Sequence, residues 1–145
     1  MLPVLHPDGF QCTVMKRLET QFLRTLIRSL DWNAKAVALR RMQKPHVANC
    51  ILKTWCNGWV TSDRMHKAER RTCVFGCDKH PDNIKHYVQC NRLWNPIFAC
   101  LRIPPKEEVA DRLALTSDEF QKLFAVAVAF VVYHSRRNTN SSNHD

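Results

Sequence analysis

The pattern of apolar positions predicts helices from Val14 onward. After that residue an apolar side chain returns every four positions, which is typical of an amphipathic helix, at Leu18, Phe22, Leu26 and Leu30. Asp31 is a suitable N-cap for a second helix, whose apolar positions are Trp32, Ala36, Val37, Leu39 and Met42. Pro45 ends that helix and favours the first turn of a third one, which Asn57-Gly58 is expected to stop.

The following part of the chain alternates between loop and helix signals. Residues 73–83 are rich in polar residues and contain glycine and proline, so we expect a loop there. Asp82 is expected to cap a helix that runs to about Trp94. Asn95-Pro96 then predicts a restart of the helix, which would continue to Leu101.

The last part of the chain is predicted to be one helix followed by a disordered tail. Pro104-Pro105 marks a boundary, and Thr116 with Glu119 matches a capping box, so we expect a helix over about 117–135. The chain shows no sustained strand alternation. The pattern therefore predicts a mainly α protein, a small helical domain with one loop. Its predicted parts are an irregular segment 1–13, a helical domain 14–103 that contains the loop, C-terminal helices that pack on it in 104–135, and a disordered tail 136–145.

The number of cysteines and the lengths of the apolar runs indicate the cellular compartment of the protein. The chain has seven cysteines, an odd number, and its first nine residues lack the features of a signal peptide. We therefore expect a reducing, intracellular environment, which includes the nucleus, and thiols rather than disulfides. The longest apolar run, 123–133, falls short of the roughly 20 residues that span a bilayer, so it predicts a buried helix and no membrane partner.

Positive charge is concentrated in the middle of the chain. The formal net charge is +9, and residues 31–72 alone carry nine basic and three acidic side chains. Such a block attracts polyanions, so RNA or DNA bound with low specificity is one expected partner, and a merely solvated basic face is the alternative. The candidate phosphate-binding residues are Arg40, Arg41, Lys44, Lys53, Arg64, Lys67, Arg70 and Arg71.

Three tryptophans fall within this basic block. Trp32 and Trp55 have helical spacing and are predicted to be core residues, although aromatics beside cations can also stack on bases. The sequence leaves Trp59, just after the predicted helix stop, open between these two roles.

The strongest chemical signal is a group of four metal-ligand residues. Their spacing is Cys73-x3-Cys77-x8-His86-x3-Cys90, and thiolate and imidazole ligands are those that tetrahedral Zn²⁺ prefers. On the predicted helix, His86 and Cys90 would share one face at i and i+4. His80 is the competing histidine. A cluster of buried thiols with a surface histidine is the other interpretation, and Cys-x3-Cys is not the spacing of a redox dithiol.

We therefore expect a Zn²⁺ ion to close the loop, which makes 14–103 a helical zinc-binding domain. A site with four protein ligands is expected to be structural, because a catalytic zinc keeps one position open for water. The sequence contains no recognisable Ser-His-Asp arrangement, phosphate loop or paired-carboxylate motif. We therefore expect no enzymatic activity, and we expect chelation to loosen or unfold the region.

These residues also resemble a known family. Residues 55–65, followed by Cys73-Val-Phe-Gly-Cys77 and His86-Tyr-Val-Gln-Cys90 with Leu93-Trp94, resemble the zinc-binding region that follows the polymerase in non-LTR retrotransposon reverse transcriptases. The resemblance covers about residues 45–135. It implies that Cys73, Cys77, His86 and Cys90 hold Zn²⁺ and that Tyr87 and Trp94 are core residues.

The resemblance also implies a function. Regions of this kind are thought to hold template RNA or target DNA near the polymerase, so it implies nucleic acid and a reverse transcriptase polymerase domain as partners. The chain itself has no Tyr/Phe-x-Asp-Asp polymerase motif, and Pro104-Pro105 precedes Lys106-Glu107-Glu108 where some members have a nuclease. The first two ligands are separated by three residues, where two is common in the family. We therefore expect a detached C-terminal fragment that binds nucleic acid, or alternatively docks on a polymerase.

Overall fold

The structure, a computed structural model, describes residues 30–142, with side chains as far as Asn140. More than half of these residues lie in six helices: α1 (Trp32–Arg41), α2 (Pro45–Trp55), α3 (Ile84–Tyr87), α4 (Asn91–Leu101), α5 (Val109–Arg112) and α6 (Phe120–Ser142). Within this range the only β pairing is an isolated antiparallel bridge between Thr72 and Pro81. The prediction of a mainly α fold is confirmed. The irregular segment 1–13 and the helix predicted after Val14 lie outside the described residues.

The first two helices begin and end where local signals predict. A side-chain oxygen of Asp31 accepts a hydrogen bond from the Ala34 amide at 3.0 Å, and Pro45 is the first residue of α2. After α2, Asn57 takes the left-handed conformation at φ 55°. A Cβ atom on Gly58 would lie only 2.9 Å from the Lys53 carbonyl oxygen. Glycine is therefore needed there because the backbone passes so close to Lys53, and not because of an unusual φ angle.

The long helix α6 organises the molecule. It packs against α2, α4 and α5, while α1 packs against α2. The face toward these helices carries small side chains, including the fully buried Ala125 and Ala129, which let the neighbouring helices approach closely. The buried apolar residues of all these helices and of the loop 73–83 form one continuous core. Among the described residues, no helix is long and apolar enough to cross a membrane.

The prediction of one helix from Asp82 to Trp94 is wrong. Asn83, not Asp82, caps α3, and the helix breaks after Tyr87 before α4 begins at Asn91. The indole Nε1 of Trp94 donates to the Tyr87 carbonyl oxygen at 2.9 Å, so a backbone acceptor at this break is satisfied by a side chain. The restart predicted at Asn95-Pro96 is also wrong, since that pair lies inside α4.

The bounds predicted for the last helix are wrong at both ends. The capping box does not form, because the Thr116 hydroxyl donates to Asp111 at 2.6 Å, and α6 begins only at Phe120. At the other end the predicted disordered tail is helical as far as Ser142. The Arg136 side chain donates to the Val74 carbonyl oxygen at 3.4 Å, a contact that ties this extension to the body of the protein.

Candidate metal centre

Four potential metal ligands converge from three short pieces of chain. Cys73 and Cys77 come from a loop, His86 from α3, and Cys90 from the residue just before α4. Their ligand atoms all lie within 4.8 Å of one another. The Sγ atom of Cys90 is 3.9 Å from that of Cys73 and 3.8 Å from that of Cys77. These separations are far longer than a disulfide bond, so the three sulfurs are free to act as ligands.

The sulfur spacing fits a tetrahedral metal. Sulfur ligands about 2.3 Å from a tetrahedral zinc ion lie about 3.8 Å from each other. The observed separations of 3.8 and 3.9 Å match the edges of such a tetrahedron. The cluster can therefore hold a metal ion.

A tight turn brings the first two cysteines together. Gly76 has φ 89°, a conformation that L side chains rarely adopt, and its amide donates to the Cys73 carbonyl oxygen at 3.1 Å. The Arg92 guanidinium then donates to the Phe75 and Gly76 carbonyl oxygens at 3.1 and 3.0 Å. An arginine of α4 thus fixes the turn that carries Cys77.

The base of the loop is closed by backbone hydrogen bonds. The Cys73 amide donates to the His80 carbonyl oxygen, and the Asp82 amide donates to the Arg71 carbonyl oxygen, both at 2.9 Å. These bonds flank the Thr72–Pro81 bridge. The loop that contains both cysteines is therefore a closed unit that a metal would complete.

The structure places His86, not His80, among the four potential metal ligands. Asn83 caps α3 by accepting a hydrogen bond from the His86 amide at 2.9 Å, which fixes the start of the helix. The Nε2 atom of His86 is buried and has no hydrogen-bond partner among the described residues. Such an atom normally has a partner, and a metal in the cluster would supply one. His80 is exposed, and its ring stacks on that of His86 with centroids 4.5 Å apart.

Burial opposes the charges that these ligands would otherwise carry. Burial raises the pKa of the Cys73 thiol. Burial, together with the neighbouring thiols of Cys73 and Cys77, raises the pKa of the Cys90 thiol to about 12. Burial, with the neighbouring His80, lowers the pKa of His86, which favours the neutral imidazole. A cation at the centre would offset the cost of buried thiolates and would use the neutral imidazole as it stands.

A buried carboxylate links the centre to α6, and sequence reasoning assigned it a different role. Asp82 accepts hydrogen bonds from the Ser62 amide at 2.8 Å, the Tyr87 hydroxyl at 2.5 Å and the Tyr133 hydroxyl at 3.0 Å. The Tyr87 hydroxyl in turn accepts a bond from the Val74 amide at 3.1 Å. Burial, together with the nearby Asp82, raises the pKa of both tyrosines. The only sequence signal at Asp82 was its suitability as a cap.

The eight candidate phosphate-binding residues are all exposed. Arg40, Arg41, Lys44 and Lys53 lie on or beside α1 and α2, whereas the other four lie in the segment 64–71. Arg70 forms an ion pair with Asp63. A further lysine of the basic block, Lys35, is buried, and its ammonium binds the Ala114 and Ser117 carbonyl oxygens and the Asp118 carboxylate.

The three tryptophans of the basic block are core residues. Trp32, Trp55 and Trp59 are at most 3% exposed. The Trp59 ring stacks on Tyr133 with centroids 4.9 Å apart, and its Nε1 donates to the Thr54 hydroxyl at 2.9 Å. The core prediction for Trp32 and Trp55 is confirmed, and the question left open for Trp59 is decided in favour of the core.

Fold and site together define a small helical protein with a Cys3His cluster that can hold one metal ion. No family model, curated protein or solved structure matches this chain.

Proposed function

We propose that the ion is Zn²⁺ and that it has a structural role. The observation that carries this is the convergence of three sulfurs, with the Cys90 sulfur at tetrahedral spacing from the other two, on a buried imidazole nitrogen that has no partner among the described residues. A donor set of three thiolates and one imidazole is typical of structural zinc sites. The four protein ligands leave no position for a reacting water, so we infer that the centre stabilises the fold and catalyses no reaction.

We further propose that the protein binds RNA or DNA with low sequence specificity. All eight candidate cations are exposed, and they come from a block in which basic side chains outnumber acidic ones by nine to three. Lys35 is the only buried basic residue of that block, so it does not contribute to the binding of nucleic acid. Because the tryptophans of the block are also buried, contacts would be made to phosphates rather than by stacking on bases.

The resemblance to the zinc-binding region of non-LTR retrotransposon reverse transcriptases supports the same proposal. The residues on which it rests include Tyr87 and Trp94, both of which are completely buried beside the proposed zinc centre. On this view the chain is derived from a retroelement and acts without the polymerase.

An alternative is that the domain docks on a polymerase partner. Two adjacent valines on α6 favour it, since Val131 is 52% and Val132 is 36% exposed. Val132 also lines a mainly apolar cavity of about 440 Å³ with residues of α4, including Pro96 and Leu101. Exposed apolar side chains that border a cavity are typical of interaction surfaces.

Fluorescence anisotropy with labelled RNA and DNA oligonucleotides of mixed sequence tests the main proposal. We expect binding at low salt that weakens steeply as salt rises, because phosphate neutralisation releases counterions. Absence of binding to either polymer at low salt would contradict it. If the isolated protein then self-associates in sedimentation experiments, the docking alternative is favoured.

A further inference from the structure

A polar groove lies between the segment 69–74 and the end of α6. The groove has a volume of about 790 Å³ and is lined by these six residues together with Asn140. Arg70 and Arg71 contribute positive charge to it and Glu69 contributes negative charge. Of the large hydrophobic side chains that are exposed in the described structure, none lines this groove. Its lining therefore suits a polar, charged ligand rather than an apolar peptide or a lipid surface.

The α6 side of the groove adds two more arginines. Arg136 and Asn140 are four residues apart, so they share one face of the helix, and the Arg136 side chain reaches the Val74 carbonyl oxygen at 3.4 Å. Arg137 follows directly in sequence. The helix Phe120–Ser142 contains no acidic residue. Arg70 and Arg71 line the groove and Arg136 contacts its Val74 wall, so three arginines stand against two carboxylates, Glu69 and the Asp63 that pairs with Arg70.

Both walls are held in place by the interior of the protein. Arg71 donates its amide to the Ser62 hydroxyl at 3.2 Å and accepts at its carbonyl from the Asp82 amide at 2.9 Å. The Asp82 carboxylate also accepts the bond from Tyr133 of α6. Buried Asp82 therefore connects the two walls of the groove. Because the groove is ordered before binding, less conformational entropy is lost when a ligand enters.

We infer that this groove, lined by residues 69–74 and Asn140 with Arg136 and Arg137 of α6 beside it in sequence, is the main phosphate-backbone site of the protein. The inference rests on the proposed nucleic-acid binding and names its location. A nucleic-acid strand fits because its regularly spaced phosphates need several cations and polar donors, and because backbone contacts require no aromatic platform. Arg40 and Arg41 of α1 do not line the groove, so they would contribute less.

The test compares two variants that lose the same charge. In R136Q/R137Q the α6 side of the groove is neutralised, and in R40Q/R41Q two exposed arginines of α1 are neutralised instead. We expect R136Q/R137Q to weaken binding of a mixed-sequence oligonucleotide about tenfold and to reduce the slope of log affinity against log salt by about two. We expect R40Q/R41Q, which removes two of the eight proposed phosphate contacts but none in the groove, to weaken binding by a smaller factor, about threefold.

A third variant separates charge from structure. R136K/R137K keeps both positive charges but loses the guanidinium that contacts Val74, so it should retain most of the affinity if phosphates are bound. Far-ultraviolet circular dichroism and metal content of each variant establish that the fold is intact.

The outcomes distinguish this inference from the proposed function. If R136Q/R137Q binds like the wild type, or if both neutralised pairs lose affinity equally, the groove is not the main site although the protein binds nucleic acid. The same holds if R136K/R137K binds as weakly as R136Q/R137Q. If the wild-type protein binds neither RNA nor DNA, the proposed function itself fails.

Discussion

At the scale of single residues, His86 and His80 show how the protein distinguishes two neighbouring imidazoles. Asn83 starts α3 so that His86 faces the three cysteines, and its Nε2 atom is buried without a partner in the described structure. His80 is exposed, and its ring stacks on the His86 ring. The position of each ring in the fold, rather than the type of residue, therefore distinguishes the two histidines.

Substitution of each histidine should have a different effect on metal content. His86→Ala removes one of four ligands, so we expect the purified protein to lose most of its metal, whereas His80→Ala should retain about one equivalent. Native mass spectrometry, with elemental analysis of the same samples, measures both. Loss of metal from the His80 variant with retention in the His86 variant would show that the wrong histidine has been assigned.

At the scale of elements, buried polar side chains connect the helices. Lys35 of α1 reaches the turn between α5 and α6, where its ammonium lies 2.9 Å from the Ala114 carbonyl oxygen and 2.8 Å from that of Ser117. Asp118 supplies the opposite charge at 2.8 Å. Arg112 makes a similar connection, since its guanidinium donates to the Asn91 side chain at 2.6 Å and so joins α5 to the start of α4. These contacts hold together elements that have few residues of their own.

Replacement of Lys35 by methionine should loosen the attachment of α1. The aliphatic part of the side chain would still pack, but two carbonyl oxygens would lose their donor, so we expect the free energy of unfolding to fall by about 2 kcal/mol. Urea denaturation at constant zinc concentration measures this. Lys44→Met, the same change at an exposed position just before α2, is the matched control and should have little effect. Equal effects of the two substitutions would contradict the role assigned to Lys35.

At the scale of the whole molecule, the metal centre and the helical core form one unit. Cys73, Cys90 and Tyr87 belong to the same continuous core as Trp55 and the residues of α6. Trp59 stacks on Tyr133 of α6 and also lies near Tyr87, whose ring centroid is 5.8 Å away. Loss of a metal ion from this centre would therefore destabilise parts of the protein that lie far from the loop.

Chelation should destabilise the entire domain. Structural zinc contributes about 10–16 kcal/mol to the folding of small zinc domains, which is comparable to the whole stability of an ordinary domain. We expect excess EDTA to lower the thermal midpoint strongly, with loss of near-ultraviolet circular dichroism from the buried tryptophans.

Added Zn²⁺ should restore the signal, and added Mg²⁺, which prefers oxygen ligands, should not. An unchanged midpoint and unchanged spectra after complete removal of metal would contradict a structural role for the ion.

Local signals in the sequence were sufficient for several parts of the structure. The cap at Asp31, the proline that opens α2 and the helix end near Asn57-Gly58 depend on residues within a few positions of each other. The four members of the metal cluster were also predictable, because a chelating site requires particular residue types at short spacings.

Other features were decided only by contacts between residues far apart in the chain. The break between α3 and α4, which places His86 and Cys90 on separate elements, is supported by Trp94 and by the Arg112 contact to the Val88 carbonyl oxygen at 3.4 Å. The helical extension beyond Ser135 is tied down by a bond to residue 74.

The sequence by itself thus determined which residues form the metal cluster and where the first helices begin, because short-range spacing and capping control both. The tertiary structure alone decided that Asp82 is a buried acceptor shared by the metal loop and α6, and that the polar tail is a helix beside Arg70 and Arg71. The physical reason is that a buried hydrogen-bond acceptor or a packed helix end gains its stability from partners that folding brings near, and no local pattern identifies those partners.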